Sequence, residues 1–181
     1  MIMNIHDMLI AYQASNQKRL LEVHQRYGDP SLPPIKQVVE PPVPLSNFGV
    51  PTLQSGHYKP MTPMLATRFE FAGAWKEADA GHDWLSIQEM EAASLDANIR
   101  EQISIRKETW DESPINLVPP SRISLFGIYR DQSEEIYLVW PAAVESEPEI
   151  LSYAGNFESK FANFGHYLRH LIDGCVKSGS P

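Results

Sequence analysis

The nineteen residues 122–140, RISLFGIYRDQSEEIYLVW, decide the fold. Arg122 to Tyr129 and Glu135 to Trp140 are two runs of β-branched, aromatic and leucine side chains around the polar Arg130-Asp131-Gln132-Ser133-Glu134, which reads as a hairpin. Both runs are apolar on both faces, the pattern of central strands covered on two sides. Gly127 inside the first run predicts a bulge or a close approach of another backbone. Toward the C-terminus, Glu149 to Tyr153 and Phe157 to Phe161 flank Ala154-Gly155-Asn156 and read as a second hairpin. In its last strand Phe157, Ser159 and Phe161 alternate with Glu158 and Lys160. A final helix follows, capped by Asn163, with Phe164, Tyr167, Leu168, Leu171 and Ile172 on its apolar face and Gly174 as its expected stop.

Toward the N-terminus, Thr67-Arg68-Phe69-Glu70-Phe71 alternates as a half-buried strand does. Ser86-Ile87-Gln88-Glu89 is a capping box that opens a helix through Met90 and Leu95 toward Ile99 or Ile103. Ile5, Met8, Leu9 and Tyr12 fall on one helical face, and Leu20, Leu21, His24 and Tyr27 resume it before Gly28-Asp29-Pro30 ends it. This is one long helix, or two with a break near Ser15-Asn16. Residues 30–63 hold nine of the fifteen prolines. The choice there is between a linker and an irregular arm, and Val38, Val43, Leu45, Phe48, Val50 and Leu53 favour an arm packed across the domain. The expectation is an α+β fold: an antiparallel meander sheet flanked by N-terminal and C-terminal helices, in a single domain over 1–181.

Fifteen basic and 23 acidic residues give a formal charge of −8. Phosphate recognition needs a basic face, so nucleic acid is not expected as a partner, and an acidic surface favours a basic one. The single cysteine, Cys175, allows no disulfide within the chain and no cysteine-rich metal cluster. Met1 to Tyr12 lacks a basic segment followed by an apolar run, and no stretch reaches the ~18 apolar residues of a membrane helix. A cytoplasmic protein is expected, with no membrane association.

Phosphate-binding glycine loops, zinc-protease helices, nucleophile elbows and calcium loops are all missing from the sequence. His166 and His170 have i, i+4 spacing, but Tyr167 stands where a zinc protease carries its glutamate, and no third ligand is implied, so no metal and no cofactor are expected. Gly81-His82-Asp83-Trp84 sets a histidine beside a carboxylate, and a turn before a helix explains it better than a general base. Cys175 lies in an expected frayed tail, without the held electropositive surroundings of a nucleophile. No catalytic residue is assigned. Two acidic clusters stand out: Asp131, Glu134 and Glu135 at one end of the second strand, and Glu145, Glu147 and Glu149, stiffened by Pro148, beyond the other. They read either as charged loops for solubility or as a preformed anionic surface facing a basic partner.

The runs Ile136-Tyr137-Leu138-Val139-Trp140, Glu147-Pro148-Glu149-Ile150, Tyr153-Ala154-Gly155 and Lys160-Phe161-Ala162-Asn163-Phe164, closed by Tyr167-Leu168 and Leu171-Ile172, resemble bacterial members of the SUKH superfamily, also called the Smi/Knr family. Trp84-Leu85-Ser86-Ile87-Gln88-Glu89 is similar to that family's W-x-L-S-L-E-E stretch. Tyr27-Gly28 followed by Leu32-Pro33-Pro34 is similar to its G-x-x-L-P helix end. The resemblance covers about half the chain, mostly through core residues. The proline-rich arm departs from the pattern, as does the missing helix after Leu32-Pro33. The resemblance implies an α+β domain without catalysis and a role as an immunity protein that binds and occludes a cognate toxin, often a nuclease. A scaffold or regulatory module of the same fold is the alternative, and an enzyme with a site the sequence does not name is a third.

Overall fold

A computed structural model describes residues 4–42, 44, 49–79, 81–110, 112–129, 134–142, 146–155 and 157–178. Among them lie helices α1 (Ile5–Tyr27), α2 (Pro63–Phe71), α3 (Ile87–Leu95), α4 (Ala97–Thr109), α5 (Pro114–Leu117) and α6 (Phe164–Ser178). The strands are β1 (Val38–Val39), β2 (Val50–Pro51), β3 (Tyr58–Lys59), β4 (Trp75–Asp79), β5 (His82–Trp84), β6 (Ile123–Tyr129), β7 (Glu134–Val139), β8 (Glu149–Ala154) and β9 (Phe157–Phe161). Seven form one antiparallel sheet in the order β1-β4-β5-β6-β7-β8-β9, and β2 pairs with β3 apart from it. From β4 onward the sheet is a meander between terminal helices, the α+β class expected from the pattern.

The hairpin that decides the fold forms as read. β6 and β7 are buried on both faces, and their register slips between Leu125 and Gly127. A Cβ on Gly127 would stand 3.0 Å from the Asp83 carbonyl oxygen, so the bulge and the close approach occur at the same residue. One sheet face carries Glu135 and Tyr153 beneath α4 and the segment leading to α5, where Trp110 meets Tyr153 edge-on. The other carries Phe126 and Phe161 beneath α6, with α1 alongside. Trp84 sits at the centre of that second layer, its ring 5.2–5.9 Å from those of Trp75, Tyr12, Phe126, Phe164 and Tyr167. Burying such rings is worth several kcal/mol each.

Four local expectations are corrected. Thr67–Phe71 is not a strand but the second half of α2. Leu65, Arg68, Phe69 and Ala72 are the buried positions, a helical spacing, and the alternation misled because Arg68 points inward. Its guanidinium donates to the carbonyls of Ala72 (2.7 Å), Gly73 (3.1 Å) and Leu85 (3.2 Å). The helix opened by the Ser86–Glu89 capping box ends at Leu95 rather than at Ile99 or Ile103. Asp96 breaks it by accepting from the Asn98 and Ile99 amides and starting α4. His82–Trp84 is strand β5 rather than a turn before a helix. Gly174 does not stop α6, which runs on to Ser178, so Cys175 is half-buried against the core and not in a frayed tail.

α1 is a single helix. Ser15 returns its hydroxyl to the Ala11 carbonyl, and the buried Asn16 donates to the Glu77 carbonyl (2.8 Å), so neither interrupts it. The proline-rich arm contains the short strands β1, β2 and β3. Val39 and Leu53 pack on the core and Val50 is fully buried, while Val38 is 52% exposed. Val43, Leu45 and Phe48 lie outside the described residues.

Candidate partner-binding surface

β7 carries the first acidic cluster on its first two residues. Glu135 faces α4 and is 1% exposed, with its carboxylate 3.1 Å from Nε of Arg106. Burial pushes this carboxyl up to about 7, against the opposing pull of Arg106. Arg106 also lies over the Tyr153 ring at 4.5 Å, and the Tyr153 hydroxyl donates to Glu158 at 2.9 Å beside the Ser113 hydroxyl. Glu134, half-buried, accepts from the Gly155 amide (2.6 Å) and stands 3.8 Å from Nε2 of the buried His82. His82 is held from its other side, Nδ1 lying 2.8 Å from the Asp79 carbonyl oxygen. Asp131 lies outside the described residues.

The second cluster divides the same way. Glu147 accepts from the Thr62 hydroxyl (2.7 Å) and the Met64 amide (2.9 Å) at the start of α2. Thr62 makes no side-chain cap of its own, so a carboxylate from far along the chain satisfies the helix terminus and meets its positive dipole end. Pro148 is buried. Glu149 is exposed at the start of β8, and Glu145 lies outside the described residues. Two of the six acidic residues thus have partners inside the chain. Glu135 and Glu147 are committed within the chain, because each satisfies groups that would otherwise be buried without a counterpart.

What the β7–β8 end does offer is a cleft. Pro114, Val118, Arg122, Val139, Trp140, Pro141 and Glu149 line a cavity of about 330 Å3. Arg122 donates through Nε to the Trp140 carbonyl (2.8 Å), and the Trp140 indole donates to Ser124 (2.9 Å). These bonds fix the strand end. A mainly apolar cleft lined by one carboxylate and by a guanidinium already bonded to the Trp140 carbonyl suits a partner side chain with an apolar stem and a polar head. The sequence signal for it was Trp140 next to the acidic segment; the contributions of Pro114 and Val118 arrive from α5 and its end and had none.

A second apolar surface lies at the far end of α1. Val23, Tyr27 and Ile35 are 46, 82 and 56% exposed around a cavity of about 140 Å3 that also touches Leu20 and His24. Contiguous exposed apolar groups of this kind mark protein contacts more often than isolated ones do. Trp75, by contrast, is fully buried, and Trp110 is half-buried against Tyr153, so neither is an accessible aromatic patch.

His166 and His170 are both exposed, and the His170 ring lies tilted against Phe161 at 5.0 Å. Among the described residues no group of three or more His, Cys, Asp or Glu side chains is placed to hold a metal ion. His170 and Cys175 line a cavity of about 200 Å3 with Tyr12, Arg19 and Asp79. Burial pushes the Cys175 thiol up, away from a reactive thiolate, although Arg19 pulls the other way. No described helix is long and apolar enough to cross a membrane. Compared with known protein families, with curated proteins and with solved structures, the chain gives no match.

Proposed function

We propose that this chain is a protein-binding module of the SUKH kind, acting as an immunity protein that occupies and blocks a cognate toxin rather than catalysing a reaction. The observation that carries this reading is the Trp140–Glu149 cleft, mainly apolar, with Glu149 exposed at the start of β8 and Arg122 bonded to the Trp140 carbonyl. Residues 131–173 hold eight carboxylates and two basic side chains, which favours a basic partner and speeds its approach. The motifs quoted from Ile136 to Ile172 support the same family, and the antiparallel sheet between terminal helices is compatible with it. Glu149 is the exposed charge at the cleft, with Glu134 half-buried nearer the opposite end of β7 and Asp131 and Glu145 joining them in sequence. A scaffold or regulatory module would use the same cleft on another protein.

The test is binding of the purified chain to the C-terminal domain of the protein encoded by the neighbouring reading frame, with protection of cells expressing that domain. Glu149→Lys should slow association at least several-fold and flatten its salt dependence, since exposed interface charges act mainly on the on-rate. Val118→Asp, which places a charge in the cleft, should abolish protection. Full protection by both variants would remove the cleft from the account. A neighbouring product that neither binds nor harms cells would leave the scaffold reading in its place.

A further inference from the structure

The outermost strand β9 reads Phe157-Glu158-Ser159-Lys160-Phe161, a palindrome in size whose two charged positions are opposite in sign. It ends the seven-stranded sheet, and its pairing with β8 is regular over all five residues from Ala154–Phe157 to Ile150–Phe161. It contains no proline and no bulge; of the devices that blunt an edge it has only the charges of Glu158 and Lys160, which are opposite in sign. Phe157 is 76% exposed. The hairpin turn leaves two residues between Ala154 and Phe157, so the closing pair is hydrogen-bonded and Phe157, Ser159 and Phe161 spend their backbone groups on β8. The N–H and C=O groups of Glu158 and Lys160 therefore point outward, and among the described residues no strand receives them.

We propose that β9 pairs with β9 of a second copy of this chain, antiparallel about a two-fold axis at Ser159, joining the two sheets into one. Antiparallel self-pairing that aligns the backbone groups has three registers, centred on Glu158, Ser159 or Lys160. Centring on Glu158 or on Lys160 sets like charges directly opposite, which is destabilising. Centring on Ser159 sets Glu158 opposite the partner copy's Lys160, twice by symmetry, and Phe157 opposite its Phe161. Every outward backbone group of Glu158 and Lys160 then has a partner. Within one chain Lys160 already reaches Glu158 at 3.0 Å on the sheet face of Tyr153, so the pairing produces four charges alternating in sign. On the other face the Phe161 ring meets those of Tyr167 (5.2 Å) and His170 (5.0 Å) at tilted angles, and the arriving Phe157 extends that aromatic cluster while losing its own exposure. The contact is isologous and closes at two copies, leaving no free β9 edge to propagate. It uses neither the Trp140 cleft nor the α1 patch, so it stands independently of the proposed function.

A single five-residue strand on each side is a small interface, so association should be concentration-dependent, with monomer and dimer both populated in the micromolar range. Sedimentation velocity of the full chain from low micromolar to sub-millimolar concentration should show a species of twice the 20.5 kDa chain mass growing in. Lys160→Glu, which puts carboxylates opposite each other, should raise the dissociation constant at least tenfold. Phe157→Ser, at a position already exposed in the monomer, should do the same without unfolding the chain. Lys36→Glu, the same charge change at an exposed residue remote from β9, should leave the dimer in place. A chain that stays monomeric throughout, or a dimer that survives either β9 substitution, overturns the proposal.

Discussion

The two edges of the sheet are built on different rules. β1 is two residues long, with prolines at 33, 34, 41 and 42 on either side. It is held largely by side chains and single backbone bonds. Gln37 donates to the Gln13 carbonyl (2.6 Å) and accepts from the Trp75 indole (3.1 Å) and from Asn16 (3.1 Å), while the Glu40 amide donates to the Ala74 carbonyl (2.9 Å). β9 is five residues of unbroken ladder beside α6, whose buried Phe164, Tyr167, Leu168 and Leu171 fasten that side to the core. A strand flanked by prolines offers too short a run of backbone to recruit another strand; a regular strand with aromatic ends offers a template. The difference teaches that this sheet is closed on one side by local chemistry and left open on the other.

The largest effect should come from loosening the fastened side. Leu168 is fully buried, and Leu168→Ala should cost ~2–5 kcal/mol through lost transfer energy and a residual cavity. A shifted urea midpoint checks this, and an unchanged one would show that α6 does not hold β8 and β9 as described.

Glu135 should give the next largest effect, and it varies with pH. Its carboxyl sits at about 7 in the folded chain against 4.5 for the unfolded, so folding favours the protonated form. The stabilisation it brings is therefore fully present below about 4.5 and is lost as pH rises through 7, a span of order 3 kcal/mol. Urea midpoints measured from pH 4.5 to 8 should fall across that window. In Glu135→Gln that slope should vanish even though the baseline moves with the altered Arg106 contact. An unchanged slope would place the titration elsewhere.

The smallest effect belongs to the closed side. Gln37→Ala removes hydrogen bonds that tie β1 to α1 and β4, and should cost about 1 kcal/mol. It should also speed amide exchange at Val38 and Val39 without altering exchange in β9. Equal loosening at both edges would mean that the two are not independently held.

Much of this arrangement was legible in the sequence where a local rule and the tertiary fold agree. The β6–β7 and β8–β9 hairpins, the Ser86–Glu89 box, the Gly127 bulge and the Asn163 cap, which accepts from the His166 amide at 3.0 Å, each follow from residues within a few positions of one another. What escaped depends on distant partners. Arg68 reads as a solvent-facing charge until three backbone carbonyls are brought around its guanidinium. Glu147 reads as part of an acidic surface until the start of α2, 83 positions away from it at the Met64 amide, is folded against it. Glu135 reads the same way until α4 lays Arg106 over it. β1 has two residues and therefore no periodicity to detect, and Leu21 and Tyr27, 43 and 82% exposed, looked like members of a buried stripe because the helix outruns the surface it packs on. The candidate site was thus legible as a place, near Trp140 and Glu149, more than as a set of side chains.

Amide hydrogen exchange read residue by residue at two protein concentrations tests the contrast between the edges most directly. At low concentration the outward amides of Glu158 and Lys160 should exchange rapidly while those of Phe157, Ser159 and Phe161 are protected by β8. At high concentration the amides of Glu158 and Lys160 should slow at least tenfold, with no change at Val38 and Val39. Exchange at Glu158 and Lys160 that is equally fast at both concentrations, or slowing that appears at β1 instead, would contradict the account.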